Sequence, residues 1–203
     1  MHISEGVLSG QVLLSGAALT AAGTYLGFKK LDYDQIAQVG ILSSAFFIAS
    51  LIHVNIGPFS THLILNGLLG IILGWAAFPA ILVALILQAL FFQFGGITTL
   101  GVNTLNMALP AVVCYYLFSP LLNKKPLIVS TAGFACGFLA VFLAAIMLAL
   151  SLLFTDESFL EVAWLAIMTH IPVMIIEGII TCFCIQFLKK VHPALLNNAI
   201  KMI

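Results

Sequence analysis

Long apolar stretches follow one another along the whole chain, separated by short polar or glycine-containing segments. Most of them are about 20 residues long, the length that a helix needs to cross the hydrocarbon core of a bilayer. This pattern predicts an all-α, polytopic integral membrane protein of about seven transmembrane helices. The predicted spans cover about residues 7–28, 36–53, 62–74, 76–93, 103–119, 127–154 and 162–188.

The third predicted span is short and contains three glycines, Gly67, Gly70 and Gly74. A segment of this length does not cross a bilayer alone, so we expect it to pack deep against the rest of the protein. Two loops flank this region of the chain. We expect residues 54–61 to be external, and the glycine- and threonine-rich residues 94–101 to be external or re-entrant.

The positively charged residues predict how the helices are oriented. All seven lie near the ends of predicted spans: Lys29, Lys30, Lys124, Lys125, Lys189, Lys190 and Lys201. Lysines near span ends mark the cytoplasmic side of a membrane protein. The acidic cluster at residues 156–161 has no lysine nearby and is predicted to be an outer loop. The N-terminus is therefore predicted outside and the C-terminus in the cytoplasm.

Composition excludes a soluble protein, because 63% of the 203 residues are hydrophobic and only 7% are charged. About a quarter of a typical soluble sequence is charged. The zero net charge gives no support to a nucleic-acid partner. The four cysteines lie inside apolar stretches, at spacings that match no zinc or redox motif. No linker-like segment interrupts the pattern, so residues 1–203 are predicted to form a single transmembrane domain.

Motifs of common enzymes are missing from the sequence. We find no phosphate-binding loop of the ATPase type, no HExxH zinc-protease helix and no GxSxG nucleophile turn. We therefore expect a transport subunit and not an enzyme, with the energy source in another protein.

The opening residues, Met1-His2-Ile3-Ser4-Glu5-Gly6, contain the most specific chemistry. No positively charged stretch precedes the first apolar run, so we do not expect a cleaved signal peptide. The Met1 amine, the His2 amide nitrogen and the His2 imidazole can then reach one cation, which suits a tetragonal metal such as Ni(II) or Cu(II). The fourth ligand must come from elsewhere. An ordinary exposed histidine on a frayed terminus is the alternative at this point.

His62 is our choice for the fourth ligand, because it begins the third predicted span at the outer side. A structural, hydrogen-bonded His62 fits the spacing equally well. Asn66, one helical turn later, would lie on the same face. The topology brings further polar residues to this side, where they contact the ion or support its ligands: Glu5, His53, Asn66, Thr98, Thr99, Asn103 and Asn106.

His170 and Glu177 lie seven residues apart in the last span and hence on one helix face. An ionisable residue inside a membrane is costly and marks a functional site or a paired structural group. Both residues could have structural partners. They could also form the relay of a proton- or sodium-coupled carrier of a small solute, which is the rival function. A membrane enzyme with a His/Glu site ranks lowest.

Four sequence blocks occur in an order that is specific to one family. They are Met1-His2-Ile3 with Glu5-Gly6, then residues 60–63 with the glycines up to Gly74 and Trp75, then residues 95–103 with Asn106-Met107, and finally His170-Ile171-Pro172 with Ile176-Glu177-Gly178. In these blocks the chain resembles the CbiM/NikM family, the substrate-binding (S) components of energy-coupling factor transporters for cobalt and nickel.

The resemblance implies a metal site and a set of partners. The metal ligands would be Met1, through its amine, His2, through its amide nitrogen and imidazole, and His62. The ion would be transported Co(II) or Ni(II), with cobalt favoured by family frequency, and no cofactor would be bound permanently. The implied partners are an energy-coupling transmembrane subunit, a pair of cytosolic ATPases and, in many members, a small accessory membrane subunit. The implied location is a bacterial or archaeal cytoplasmic membrane.

One departure from the family pattern lies in the loop before His62. It reads Asn55-Ile56-Gly57-Pro58-Phe59, where many relatives are richer in glycine and serine. The fit of this loop over the site, and with it the metal preference, therefore does not follow from the resemblance.

Overall fold

The structure, a computed structural model, describes residues 2–56 and 59–196 and is mostly helical. Its α-helices in that part of the chain are α1 (Gly10–Lys29), α2 (Ile36–Ala49), α3 (Asn66–Leu73), α4 (Ala77–Phe92), α5 (Leu100–Phe118), α6 (Pro126–Leu153) and α7 (Leu160–Val191). A β-hairpin of β1 (His53–Ile56) and β2 (Phe59–His62) joins α2 to α3. The predicted helical class is confirmed, with this one hairpin added.

Four helical runs in the described residues are long and apolar enough to cross a membrane: 66–92, 100–121, 126–153 and 157–191. Helix α2 is apolar but shorter, and α1 is not among the four. The described residues thus contain seven α-helices, and four helical runs have the length and composition of a membrane span, so the prediction of about seven transmembrane helices is supported in part. The orientation of the termini stays a prediction.

The chain reverses direction between α3 and α4, at Gly74. His62 lies four residues before the start of α3. Gln88 near the end of α4 contacts His2, which in turn contacts His62. A straight helix from residue 66 to residue 88 would separate its ends by about 30 Å, so α3 and α4 must run in opposite directions. Gly74 has φ 54°, which a glycine adopts without strain.

The short helix α3 is enclosed by its neighbours, as expected from its length and glycines. Its eight residues are all buried. A Cβ atom at Gly67 would lie 2.9 Å from the Gly137 Cα atom. At Gly70 a Cβ would overlap the backbone of Ala111. Glycine at both positions therefore allows α3 to press its backbone against α5 and α6.

Two predicted boundaries around the hairpin are wrong. The second predicted span was drawn to residue 53, but α2 ends at Ala49. The third was drawn from residue 62, but its helix begins at Asn66. The physical reason is the hairpin, in which His53 is paired with His62 and the main-chain groups of both strands bond across the ladder. Leu65, with φ 54°, then separates the strand from the helix.

The described lysines gather at one end of the helix bundle. Lys189 Nζ donates to the carbonyl oxygens of Leu122, at 2.7 Å, and Lys124, at 3.2 Å. Lys30 Nζ lies 5.9 Å from the ring of Trp75, in the turn between α3 and α4. The N-terminal segment, the hairpin and the glycine-rich loop lie at the opposite end. The gathering of these lysines at one end, which the sequence predicted, is therefore present in the fold.

Candidate metal centre

Two histidines that are 60 positions apart in the chain meet at the end opposite the lysines. His2 Nδ1 lies 3.0 Å from His62 Nε2, and the ring centroids are 4.7 Å apart. His62 is 3% exposed at the end of β2, and His2 is partly buried in the N-terminal segment. The structure thus brings together two of the residues that the sequence predicts as metal ligands.

The tautomer of His62 follows from its backbone contact. Its Nδ1 atom lies 2.8 Å from the carbonyl oxygen of Leu63. A carbonyl oxygen only accepts hydrogen bonds, so His62 Nδ1 carries the proton. In the neutral ring Nε2 is then unprotonated, and its lone pair faces His2.

The tautomer of His2 follows from a chain of hydrogen bonds through α2 and α4. Ser50 Oγ donates to the Phe47 carbonyl oxygen at 2.6 Å, so it accepts from Gln88 Nε2 at 2.8 Å. The other end of that amide, Gln88 Oε1, therefore faces His2 Nε2 at 2.8 Å. His2 Nε2 must donate the proton, which leaves the lone pair on Nδ1.

The two facing nitrogens are therefore both unprotonated. Burial lowers the pKa of His2 from 6.5 to about 3 and lowers that of His62 well below its usual value, so both rings are neutral. Two ligands that each lie about 2 Å from one metal ion are separated by about 2.8 to 3.3 Å in square-planar or tetrahedral geometry. The observed 3.0 Å suits two adjacent ligands of one transition-metal cation.

In the described part of the chain, His, Cys, Asp and Glu side chains alone do not form a complete metal site. Within the described residues, no group of three His, Cys, Asp or Glu side chains is placed to hold one ion. The sequence predicts the His2 amide nitrogen as a further ligand. Met1, whose amine the sequence predicts as a ligand, lies outside the described residues.

Asn103 holds the N-terminal segment in place. Its Oδ1 atom accepts the Ile3 N–H at 3.0 Å, and its Nδ2 atom donates to the Ile3 carbonyl oxygen at 3.0 Å. Asn103 Nδ2 also donates to Thr99 Oγ1 at 3.1 Å. Asn103 therefore fixes the backbone directly after His2, without pointing its side chain at the histidine pair.

Glu5 attaches the same segment to the glycine-rich loop. Its N–H donates to the Gly95 carbonyl oxygen at 3.0 Å. Its carboxylate accepts the N–H of Thr98 at 3.0 Å and the Thr98 hydroxyl at 3.2 Å, and these bonds lower the pKa of Glu5. Gly96 has φ 120°, and a Cβ there would collide with Glu5. Glu5 and Thr98 therefore support the site.

Two predicted asparagines brace helices instead of reaching the ion site. Asn66 Nδ2 donates to the carbonyl oxygens of Met107, at 3.2 Å, and Ala140, at 3.3 Å. Asn106 Nδ2 donates to Ser151 Oγ at 3.2 Å between α5 and α6, while the Ser151 hydroxyl donates to the Met147 carbonyl oxygen at 2.8 Å. The expectation that Asn66 shares a helix face with His62 is wrong, because the helix begins only at Asn66.

His53 lies at the exposed margin of the histidine pair. The strand register places it directly across from His62, with ring centroids 6.0 Å apart. Its Nδ1 atom contacts the Leu51 carbonyl oxygen at 3.0 Å, and its side chain is exposed. His53 is thus a neighbour of the pair on the side of the hairpin that faces outward.

Glu177 reaches the same region from α7. Its Oε1 atom accepts the N–H groups of Ile64 and of Leu65, the latter at 2.9 Å, and the residue is fully buried. These two N–H groups belong to the segment that follows His62. His170 Nδ1 donates to the Ala166 carbonyl oxygen, one turn earlier in the same helix, at 2.5 Å. Glu177 therefore positions the backbone next to a candidate ligand.

The sequence reasoning missed Gln88 and Ser50. Both are uncharged polar residues inside predicted apolar spans, and both are completely buried. A polar side chain inside an apolar helix requires a hydrogen-bond partner, and this was the available signal. Nothing in the sequence shows that the partner is His2, since Gln88 lies 86 positions away.

Two facing imidazoles, each with an unprotonated nitrogen, lie at the end of a bundle of apolar helices, and this arrangement is typical of a membrane protein that handles transition metals. A family model described as "Cobalt uptake substrate-specific transmembrane region" matches residues 2–195. The chain therefore belongs to the CbiM family of cobalt and nickel transport proteins.

Individual relatives agree with this family assignment. A putative metal transport protein of Haemophilus influenzae is 42% identical over 201 residues, which cover 98% of each chain. The cobalt transport protein CbiM of Kyrpidia tusciae is 30% identical, covering 100% of this chain and 88% of the relative. The crystal structure of a truncated transition metal transporter matches with a TM-score of 0.76 and 30% identity, covering 95% of this chain and 100% of that chain.

Proposed function

We propose that this protein is the substrate-capture subunit of an ATP-driven energy-coupling factor transporter that imports Co(II) or Ni(II). The observation that carries the proposal is the pair of unprotonated nitrogens, His2 Nδ1 and His62 Nε2, held 3.0 Å apart. Cobalt is the favoured cargo, on family frequency alone, because the nitrogen ligands themselves suit both metals and nickel generally binds them more tightly.

The proposed ligand set has four nitrogens. His2 supplies its Nδ1 atom and its deprotonated amide nitrogen, His62 supplies Nε2, and Met1 supplies its amine. The chelate rings that link the amine, amide and imidazole of residues 1 and 2 favour a planar arrangement. Asn103 supports this set, because its two bonds to Ile3 hold the backbone that carries the His2 amide.

The proposed orientation places the metal centre outside and the lysine end in the cytoplasm. The positive-inside rule supports this orientation, since the described lysines lie at the end opposite the histidine pair. The energy would come from a coupling transmembrane subunit and a pair of cytosolic ATPases, with a small accessory membrane subunit in addition. The location would be a bacterial or archaeal cytoplasmic membrane.

Metal binding by the purified protein tests the proposal. We would compare the native N-terminus, a form with a few residues added before Met1, and the His62→Phe variant. The native form should bind about one Co(II) or Ni(II) per chain, and both altered forms should lose it. His192→Phe is the matched control, since His192 is an exposed histidine past the end of α7. Equal binding by the native and extended forms would contradict the proposed ligand set.

A further inference from the structure

A third imidazole stands between the outside of the protein and the histidine pair. Exposure decreases in steps, from the exposed His53 through the partly buried His2 to His62, which is 3% exposed. His53 is held at the base of the hairpin and not at its tip. The adjacent Ile52 carbonyl oxygen accepts the Leu63 N–H at 3.2 Å, which extends the ladder past the paired histidines.

The nitrogen that His53 offers to a metal is determined by the backbone. Its Nδ1 atom contacts the Leu51 carbonyl oxygen at 3.0 Å, so in the neutral ring that atom carries the proton. Nε2 is then the basic nitrogen, as in His62. A neutral imidazole with one basic nitrogen is the commonest metal ligand in proteins.

The distance to the pair is short enough for one ligand exchange. The His53 ring centroid is 6.0 Å from that of His62. A cation bound about 2 Å from a ring nitrogen would already cover much of that separation. Phe94 lies beside both ends of this path, with its ring centroid 5.7 Å from that of His53 and 5.8 Å from that of His2. Phe94 thereby provides an apolar wall along the transfer path.

His53 does not join the pair as a third permanent side-chain ligand. No group of three metal-ligating side chains in the described part of the chain is arranged around one ion. A cation that meets His53 would therefore do so before or after it is held by the pair, and not while it is held by both histidines.

We propose that His53 is a transient capture ligand, which takes a divalent transition-metal cation from outside and passes it to His2 and His62. The inference rests on the proposed function. A ligand that contacts the cation only during transfer, and in neither the free nor the final bound state, lowers the free-energy barrier to binding and to release by the same amount. Losing it therefore slows binding and release together and leaves the dissociation constant unchanged.

Stopped-flow binding of nickel or cobalt chloride to the full chain in nanodiscs tests this role. His53→Phe keeps an aromatic ring against His62 and Phe94 but removes the nitrogen. We expect its association and dissociation rate constants each to fall about tenfold, with Kd within about twofold of the wild-type value. His53→Asp, which offers an oxygen ligand, should recover most of both rates. His192→Phe should leave both rates unchanged.

Two results would overturn the capture role. In the first, His53→Phe binds and releases metal at wild-type rates. In the second, its Kd rises because only release accelerates, which would make His53 a ligand of the final complex. The absorption spectrum of bound nickel should be the same in wild type and His53→Phe, since the final ligands are unchanged. A wild-type protein that binds neither metal would instead refute the proposed function, and this result is distinguishable because it appears before any variant is compared.

Discussion

His2 Nδ1 and His62 Nε2 face each other at 3.0 Å while the proton of each ring is directed to a different acceptor. The His62 proton goes to the Leu63 carbonyl oxygen and the His2 proton to Gln88 Oε1. A cation placed between the two nitrogens would be bound by both lone pairs. Burial opposes protonation of both rings, so the arrangement favours a metal cation.

Replacement of Gln88 should weaken metal binding without removing a ligand. In Gln88→Leu the His2 Nε2 proton loses its acceptor, and loss of such a supporting bond typically costs about 10- to 100-fold in metal affinity. Gln88→Glu keeps an acceptor and should bind more tightly than Gln88→Leu. Competition with a chelator of known affinity measures both. Gln186→Leu, at an exposed position of α7, is the control and should not differ from wild type.

The two asparagines of α5 should separate affinity from stability. Asn103→Ala removes two hydrogen bonds to Ile3 and should weaken metal binding about tenfold or more, because the N-terminal segment is no longer held. Asn106→Ala removes a bond to Ser151 between α5 and α6 and should lower the melting temperature, with metal affinity little changed. Equal loss of metal affinity in both variants would show that the two hydrogen bonds from Asn103 to Ile3 have no specific role in metal binding.

Alanine at Gly95 should release the N-terminal segment. Gly95 has φ 75°, and a Cβ there would lie 2.7 Å from Asn103 Nδ2. We expect faster hydrogen exchange at residues 2–9 and weaker metal binding, with the helices retained. Gly10→Ala is the matched control, because nothing lies within 4 Å of a Cβ at that position. Unchanged exchange in Gly95→Ala would contradict the assigned role of the loop.

Substitutions of Glu177 should distinguish a positioning role from a relay. Glu177→Leu leaves the N–H groups of Ile64 and Leu65 without their acceptor, at a cost of about 1–3 kcal/mol each, and should lower the melting temperature and the metal affinity. Glu177→Gln keeps one acceptor oxygen, so its melting temperature and metal affinity should stay close to those of the wild type. If Glu177→Gln folds and binds metal normally but abolishes transport, the rival proton- or sodium-coupled carrier would be favoured instead.

The imidazole of His2 should stay neutral well into the acid range. Its pKa is lowered to about 3, chiefly by burial, so the folded state favours the neutral form. The resulting stabilisation is complete above the unfolded value of 6.5 and is lost as the pH falls from there toward about 3. NMR of histidine-labelled apoprotein should show no protonation of His2 between pH 7 and pH 5. A peptide of the first six residues should titrate near 6.5.

Helix content and helix order were predictable because they depend on local composition. The predicted spans 103–119, 127–154 and 162–188 end within three residues of the observed helices α5, α6 and α7. The lysines at one end, and His2, His53 and His62 at the other, were also predictable, since charge at span ends follows the membrane and not the packing. The boundaries of the second and third predicted spans were wrong because a hairpin leaves no strong pattern in the sequence of so apolar a chain.

The sequence by itself determined that this protein is a helical membrane protein and that His2 and His62 were the residues to examine. The length of the apolar stretches predicts the membrane helices, and the rarity of imidazole in an apolar chain points to the two histidines. Only the tertiary structure decided which nitrogens face each other, because Gln88 and Leu63 assign the ring protons. It also decided that Glu177 bonds to backbone, since its partners lie 112 and 113 positions away and are brought together only by packing.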